Sequence, residues 1–187
     1  MAKIRAQKLK GDERTSAFHQ LQSWLDQAAS LAQRFATEHN DDPFGYNETA
    51  SVSLLCAAAV ANGCVALAEF AQEKRAQTRG RPYVRGRWDM WMVTGGLHWG
   101  LEFKQTRDFS PLLLERTMAA ACADANKINA GDVGKRLGGV IAAPRSDHEH
   151  YSRTCGNLEA FSAQCDYAWL IDVQDYDLRT YLFFREL

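Results

Sequence analysis

Asp89, Glu102 and Lys104 are the residues of this chain whose types and spacing could do chemistry together. They lie on two segments, Trp88–Val93 and His98–Lys104, that flank Gly95-Gly96. A Gly-Gly pair between two such segments reads as a two-residue hairpin turn, and counting outward from it sets Asp89 opposite Glu102. A four-residue loop from Thr94 to Leu97 gives the same register. Alternation then carries Lys104 to the face of the two carboxylates and sends Met90, Met92, Leu101 and Phe103 to the other. Two acids and a lysine on one face, backed by an apolar layer, can hold a divalent cation. Taken singly, Asp89 could be a surface acid and Glu102 with Lys104 an exposed ion pair worth little. The composition around them, with Trp88, Trp91 and Trp99, predicts a buried hairpin instead. There, carboxylates are costly unless paired or metal-bound.

The elements that must position these groups follow from periodicity. Residues 1–11 read as a loose basic tail. From Asp12 to His39, Phe18, Leu21, Leu25, Ala28, Ala32 and Phe35 mark one face of a long amphipathic helix, ending before Asn40-Asp41-Asp42-Pro43. Asn47 is a plausible N-cap for a second helix from Glu48 to about Ala61, closed by Asn62-Gly63 and rich enough in Ala and Ser to pack closely on a sheet. Cys64 to about Gln72 reads as a strand, followed by an arginine-rich linker and then the hairpin. Ser110-Pro111 opens a helix, with Ser capping, whose stripe is Leu114, Met118, Ala121, Ala125 and Ile128. Lys135–Ala143 is a buried strand, Asn157 to about Gln164 a short helix, and Tyr167–Val173 with Leu178–Phe184 a second hairpin. A helix between the strands at Trp99–Gln105 and Leu137–Ala143 predicts a parallel, right-handed crossover. With the remaining pairs antiparallel, the class is α/β: a mixed central sheet flanked by helices.

A chain of 187 residues with 46% hydrophobic and 24% charged content suggests one domain, over 12–187, with a real core. The longest apolar candidate, Val52–Ala61, is too short to cross a membrane, and no apolar stretch follows the N-terminal lysines, so no secretory leader is expected. Five cysteines without CxxC spacing point to reduced, packed thiols in a cytoplasmic protein. A net charge of −1 argues against a broadly basic nucleic-acid coat. Yet Lys74, Arg75, Arg79, Arg81, Arg85 and Arg87 run without an intervening acid directly up to Asp89. Such a cluster can contact phosphates, although a solvated loop is its plain reading. His148-Glu149-His150 lacks a suitably spaced third ligand and reads as a solvated loop. Of the tryptophans, two are expected in the core, and Trp91 shares the Asp89 face, where it could stack on an unpaired base. Glu69 reads as a strand-edge surface residue. No Ser-His-Asp or Cys-His motif and no glycine-rich phosphate loop is present in the sequence.

An acid-bearing helix, a strand, a hairpin holding Asp and Glu-x-Lys, a crossover helix and another strand resemble the PD-(D/E)xK nuclease superfamily, the restriction-endonuclease-like fold. The resemblance spans about Asn47 to Ala143 as an α-β-β-β-α-β core (47–143), with the preceding helix and the final hairpin as peripheral additions. Asp89 matches the superfamily's Asp, and Glu102 with Lys104 its (D/E)xK pair. Glu48 matches the acid many members carry on the first core helix, and Gln105 resembles a glutamine of several branches. Trp88 stands where the name has proline.

What the resemblance implies is hydrolysis of DNA phosphodiester bonds with Mg²⁺, or Mn²⁺ in its place. A hard cation of this kind prefers carboxylate oxygens and retained waters. Asp89, Glu102 and the main-chain carbonyl of Phe103 would hold it, and Glu48 would bind through water or orient the attacking water. Lys104 would sit beside the attacking water and the scissile phosphate. Arg81, Arg85 and Arg87, with Lys74 and Arg75, are candidate backbone contacts. A homodimer, or a partner subunit supplying specificity, fits a small single-site nuclease. The alternative is a catalytically silent member of the fold that binds nucleic acid or protein.

Overall fold

A computed structural model describes residues 4–75, 83–145 and 150–187, without the side chains of 73–75 and 83–85. The described residues form an α/β fold with a mixed sheet of seven strands and four α-helices. The helices are α1 (Ser16–His39), α2 (Glu48–Ala61), α3 (Pro111–Ala125) and α4 (Tyr151–Ser162). The strands are β1 (Gln7–Lys10), β2 (Val65–Arg75), β3 (Tyr83–Thr94), β4 (Leu97–Thr106), β5 (Lys135–Ala142), β6 (Tyr167–Val173) and β7 (Leu178–Glu186). Their order across the sheet is β1-β6-β7-β5-β4-β3-β2. Among the described residues β4 and β5 make the only parallel pair, joined through α3 as expected.

Two apolar layers sandwich the sheet. On one face Leu21, Trp24 and Leu25 of α1 and Val52 and Leu55 of α2 pack against Met90, Met92, Trp99, Leu101, Phe103 and Phe184. On the other, Leu114 and Met118 of α3 and Leu158 and Phe161 of α4 cover Val140, Ala142, Tyr181 and Phe183. The predicted alternation of the β3–β4 hairpin therefore stands, since Met90, Met92, Leu101 and Phe103 are all fully buried under α1 and α2. Gly95 and Gly96 take φ of 56° and 76°, the paired positive values of a type I′ turn, which the twist of a hairpin favours and side chains resist. Asn47 caps α2 as expected, its side chain accepting from Ala50 N.

Several boundaries differ from the sequence reading, each for a local reason. The supposed basic tail contains β1, antiparallel to β6, and Ala6 is tucked in with its N–H on Asp26 Oδ1 at 3.0 Å. Four residues with two lysines carry too little alternation to announce a strand whose partner lies far along the chain. Helix α1 starts at Ser16, capped by Thr15, because Asp12 is engaged with the backbone and side chain of Arg14. Ser110 gives α3 no side-chain cap; instead its own N–H is held by Asp108 at 2.9 Å. Helix α4 begins at Tyr151, six residues early, its opening turns disguised by Ser152, Arg153 and Gly156. Lys74 and Arg75 prolong β2, and Arg85 and Arg87 belong to β3, so the described part of the expected linker is a two-stranded arm, while Arg79 and Arg81 lie outside the described residues. The final hairpin is no peripheral addition: β7 lies between β5 and β6, and its Tyr181, Leu182, Phe183 and Phe184 are fully buried.

All five cysteines are free thiols, with Cys64, Cys155 and Cys165 buried. Trp88 and Trp99 are core residues and Trp91 is half-buried, the division expected. His148 and Glu149 lie outside the described residues, and His150 occupies the N-cap position of α4. No helix among the described residues is long and apolar enough to cross a membrane.

Candidate active site

The β3–β4 ladder runs from Thr94↔Leu97 to Met90↔Leu101 and stops there, although both strands continue. Beyond that point β4 stays bonded to β5 as far as Thr106, while β3 stays with β2. The two strands part, and the backbone of β4 on its β3 side must find other partners. Side chains supply them. Asp89 Oδ2 accepts the N–H of Phe103 at 2.7 Å, and Glu48 Oε2 accepts that of Gln105 at 2.9 Å. The carbonyl of Phe103 accepts from Lys104 Nζ at 3.0 Å. Asp89 therefore sits one step past the last ladder pair, with its carboxylate in the opening rather than in a regular cross-strand pair with Glu102.

Lys104 is the cation of this opening. Its ammonium lies 3.1 Å from Asp124 Oδ2 on α3 and 4.0 Å from Glu48 Oε1 on α2, in addition to its bond to Phe103 O. Partial burial opposes the charge, but the Asp124 hydrogen bond and the charges of Glu48, Asp124 and Asp89 outweigh it and raise the Lys104 pKa above its ordinary value. Glu48 moves upward too: burial dominates, reinforced by Asp89 and Glu69 and opposed by the Gln105 N–H and Lys104. Asp124 is lowered, because its bonds to Lys127 (2.7 Å) and Lys104 prevail over burial. Glu102, on the same face of β4 as Lys104, is only 2% exposed.

Gln105 points the other way. Its amide oxygen accepts from Ser51 Oγ at 3.0 Å and its Nε2 donates to Phe44 O at 2.7 Å, tying β4 to α2 and to the loop before it. It thereby fixes where α2 begins, and so where Glu48 reaches. Asp124 and Glu69 were not anticipated as site residues. Asp124 carried one sequence signal, an acid in the last turn of α3, where the helix dipole disfavours negative charge unless a cation answers it. Glu69 stands on β2 across from Asp89, bonded to Arg87 at 2.7 Å, with φ of 54° in the left-handed region rare for non-glycine residues. Nothing in the pattern around it marks that conformation.

Among the described residues no three His, Cys, Asp or Glu side chains gather closely enough to hold a metal ion. The donor types nevertheless suit a hard cation, being the carboxylates of Asp89, Glu102 and Glu48 and the Phe103 carbonyl. Lys104 already engages that carbonyl and lies near Glu48, so positive charge is what the opening accommodates. Of the basic residues expected at phosphates, Arg87 is engaged with Glu69; Lys74, Arg75 and Arg85 are placed by backbone only, on the β2–β3 arm. Arg81 lies outside the described residues. Comparison of the chain with protein-family models, with curated proteins and with solved structures finds no match.

Proposed function

We propose that the protein is a divalent-metal-dependent nuclease of the PD-(D/E)xK type, hydrolysing DNA phosphodiester bonds at the opening between β3 and β4. The observation that carries this reading is the convergence of Asp89, Glu48 and Lys104, from β3, α2 and β4, on the backbone of residues 103–105. The chain order α2-β2-β3-β4-α3-β5 supports it as well. Mg²⁺ or Mn²⁺, held by Asp89, Glu102, Glu48 and the Phe103 carbonyl, would supply charge neutralisation at the phosphate and an acidified water.

The chain's own groups divide the remaining work. Lys104, with its raised pKa, is an ammonium at neutral pH, suited to neutralising a phosphate oxygen and unsuited to removing a proton. Glu48, anchored on the Gln105 N–H, would hold the metal through a water or orient the attacking water. Asp124 keeps Lys104 charged and aimed, and Gln105 anchors the α2 end that carries Glu48. The β2–β3 arm, with Lys74, Arg75, Arg85 and Arg87, offers a ribbon that can follow a phosphate backbone.

One observation favours a second reading, a catalytically silent binding module. Asp89 and Glu48 both satisfy backbone N–H groups, a purely structural duty. Incubation with linear, circular and single-stranded DNA in Mg²⁺, Mn²⁺ or EDTA separates the two. Cutting that requires metal and disappears in Lys104→Ala supports the nuclease; binding without cutting in any metal removes it.

A further inference from the structure

A cavity of about 1010 Å³ opens beside Gln105, at the C-terminal ends of β4 and β5. That is at the upper end of the ~300–1,000 Å³ usual for ligand pockets. The crevice beyond the carboxyl ends of neighbouring parallel strands is also where α/β sheets commonly receive ligands. Its walls come from the α1–α2 loop, the segment after β4, the end of β5 and the β6–β7 turn. It borders the opening that holds Lys104 at Gln105, whose backbone N–H lies on Glu48 in the opening and whose side chain turns to the cavity side, toward Phe44 and Ser51.

The lining has two properties. It is aromatic, with Tyr46, Phe109 and Tyr176 on its walls, and Tyr46 is 49% exposed. It is also acidic: Asp41, Asp42, Asp175 and Asp177 line it beside two guanidiniums, Arg107 and Arg145, with Asp41 and Asp42 already accepting from the loop's own N–H and hydroxyl groups. Arg107 is spent on the loop, donating through Nη2 to Gly45 O at 2.9 Å and to Tyr46 O at 2.6 Å. Tyr46 donates its hydroxyl to Asp41 at 2.5 Å, and its ring meets Phe35 edge to face, so the hydroxyl is already engaged and the ring is held in place. Such walls repel a phosphate. They suit a flat, uncharged ring carrying N–H donors, which can stack on tyrosine and give its protons to carboxylates.

We propose, building on the nuclease reading, that this cavity takes the unpaired base of the nucleotide next to the scissile phosphate. The preferred base is one with an exocyclic amino group, guanine above thymine. The division of labour is electrostatic: phosphate at the Lys104 ammonium, base in the acidic aromatic cavity. A paired base is stacked and its hydrogen-bonding edge is occupied, so the substrate is single-stranded, frayed or otherwise unpaired at this position.

The test is equilibrium binding of fluorescently labelled 12-mers to the full chain in EDTA, which separates recognition from cutting. Single strands should bind at least about ten-fold tighter than the matching duplex, and a series of single abasic substitutions should show one position where affinity falls about ten-fold. At that position dG should be preferred to dT. Tyr46→Ala should flatten the abasic series, and Tyr46→Phe, which keeps the ring, should preserve it. Equal affinity for duplex and single strand, a flat abasic series in the native protein, or no binding overturns the proposal. A cavity built for a lysine or arginine side chain of a protein partner would give the flat series. Base-dependent binding without metal-dependent cutting would remove hydrolysis and leave the cavity assignment standing; cutting with a flat series would do the reverse.

Discussion

Between Trp99 and Leu101, strand β4 is bonded backbone to backbone with β3 on one side and β5 on the other. Between Glu102 and Thr106 it keeps β5 but meets carboxylates where β3 would have been. The first half is closed by groups every residue possesses, so its sequence need only be apolar on the α1–α2 side. The second half is closed by particular side chains, and any that can let go of the backbone can also take hold of something else. That difference is why the proposed chemistry is assigned to the parting of the strands and not to the regular ladder below it.

Substitutions on the two halves should fail in different ways. Leu101→Ala, in the closed half, should cost about 2–5 kcal/mol of unfolding free energy, measured by urea titration, while the folded fraction keeps its specific rate. Lys104→Ala, in the open half, should lower the DNA-cutting rate about 100- to 1,000-fold and leave the urea midpoint nearly unchanged. If both variants lose stability alike, the contrast fails. Asp89 sharpens it, because its charge and its cap can be separated. Asp89→Ala should lose about 1–3 kcal/mol through the stranded Phe103 N–H, whereas Asp89→Asn keeps an acceptor and should lose cutting with little loss of stability.

Glu48 gives a smaller effect that depends on pH. Its folded pKa lies above the ordinary carboxylate value, so the anion is lost as pH falls through that raised value, and the acid limb of a pH–rate profile should follow it. For stability the sign reverses. A raised folded pKa contributes stability that is full below the unfolded value and lost as pH rises through the folded one. Glu48→Gln should therefore be slightly more stable than the native chain at pH 7, an advantage that vanishes below about pH 4. Smallest is Asp124→Asn, expected to change stability by less than about 1 kcal/mol, since its bridge to Lys104 is partly exposed. Because Asp124 helps raise the Lys104 pKa, the variant should bring the alkaline limb of the rate profile to lower pH.

Much of the fold was legible because its signals are local. The Asn47 cap, the Gly95-Gly96 turn and the stripe of α3 each fit within a few residues, and the hairpin register follows from the turn alone. The strand β1 and the place of β7 inside the sheet were not legible, since both depend on pairing across long separations. At the site, alternation placed Lys104 on the acid face but could not show that the ladder ends at Met90↔Leu101. That ending makes Asp89 a partner of Phe103 N, and it brings in Asp124 from a helix whose approach to β4 no spacing rule describes. Gly138 is the nearest trace of that approach: a Cβ there would lie 2.7 Å from Cys122 N, so only glycine lets α3 come this close to the sheet.

The left-handed turn of the backbone at Glu69 has a bearing on assembly. Strand β2 is the last in the sheet, and its outward amides and carbonyls would otherwise offer a straight template for a strand from a neighbouring molecule. One residue with φ of 54° breaks that row midway along its length. A second copy of the chain is thus discouraged from extending the sheet at this border.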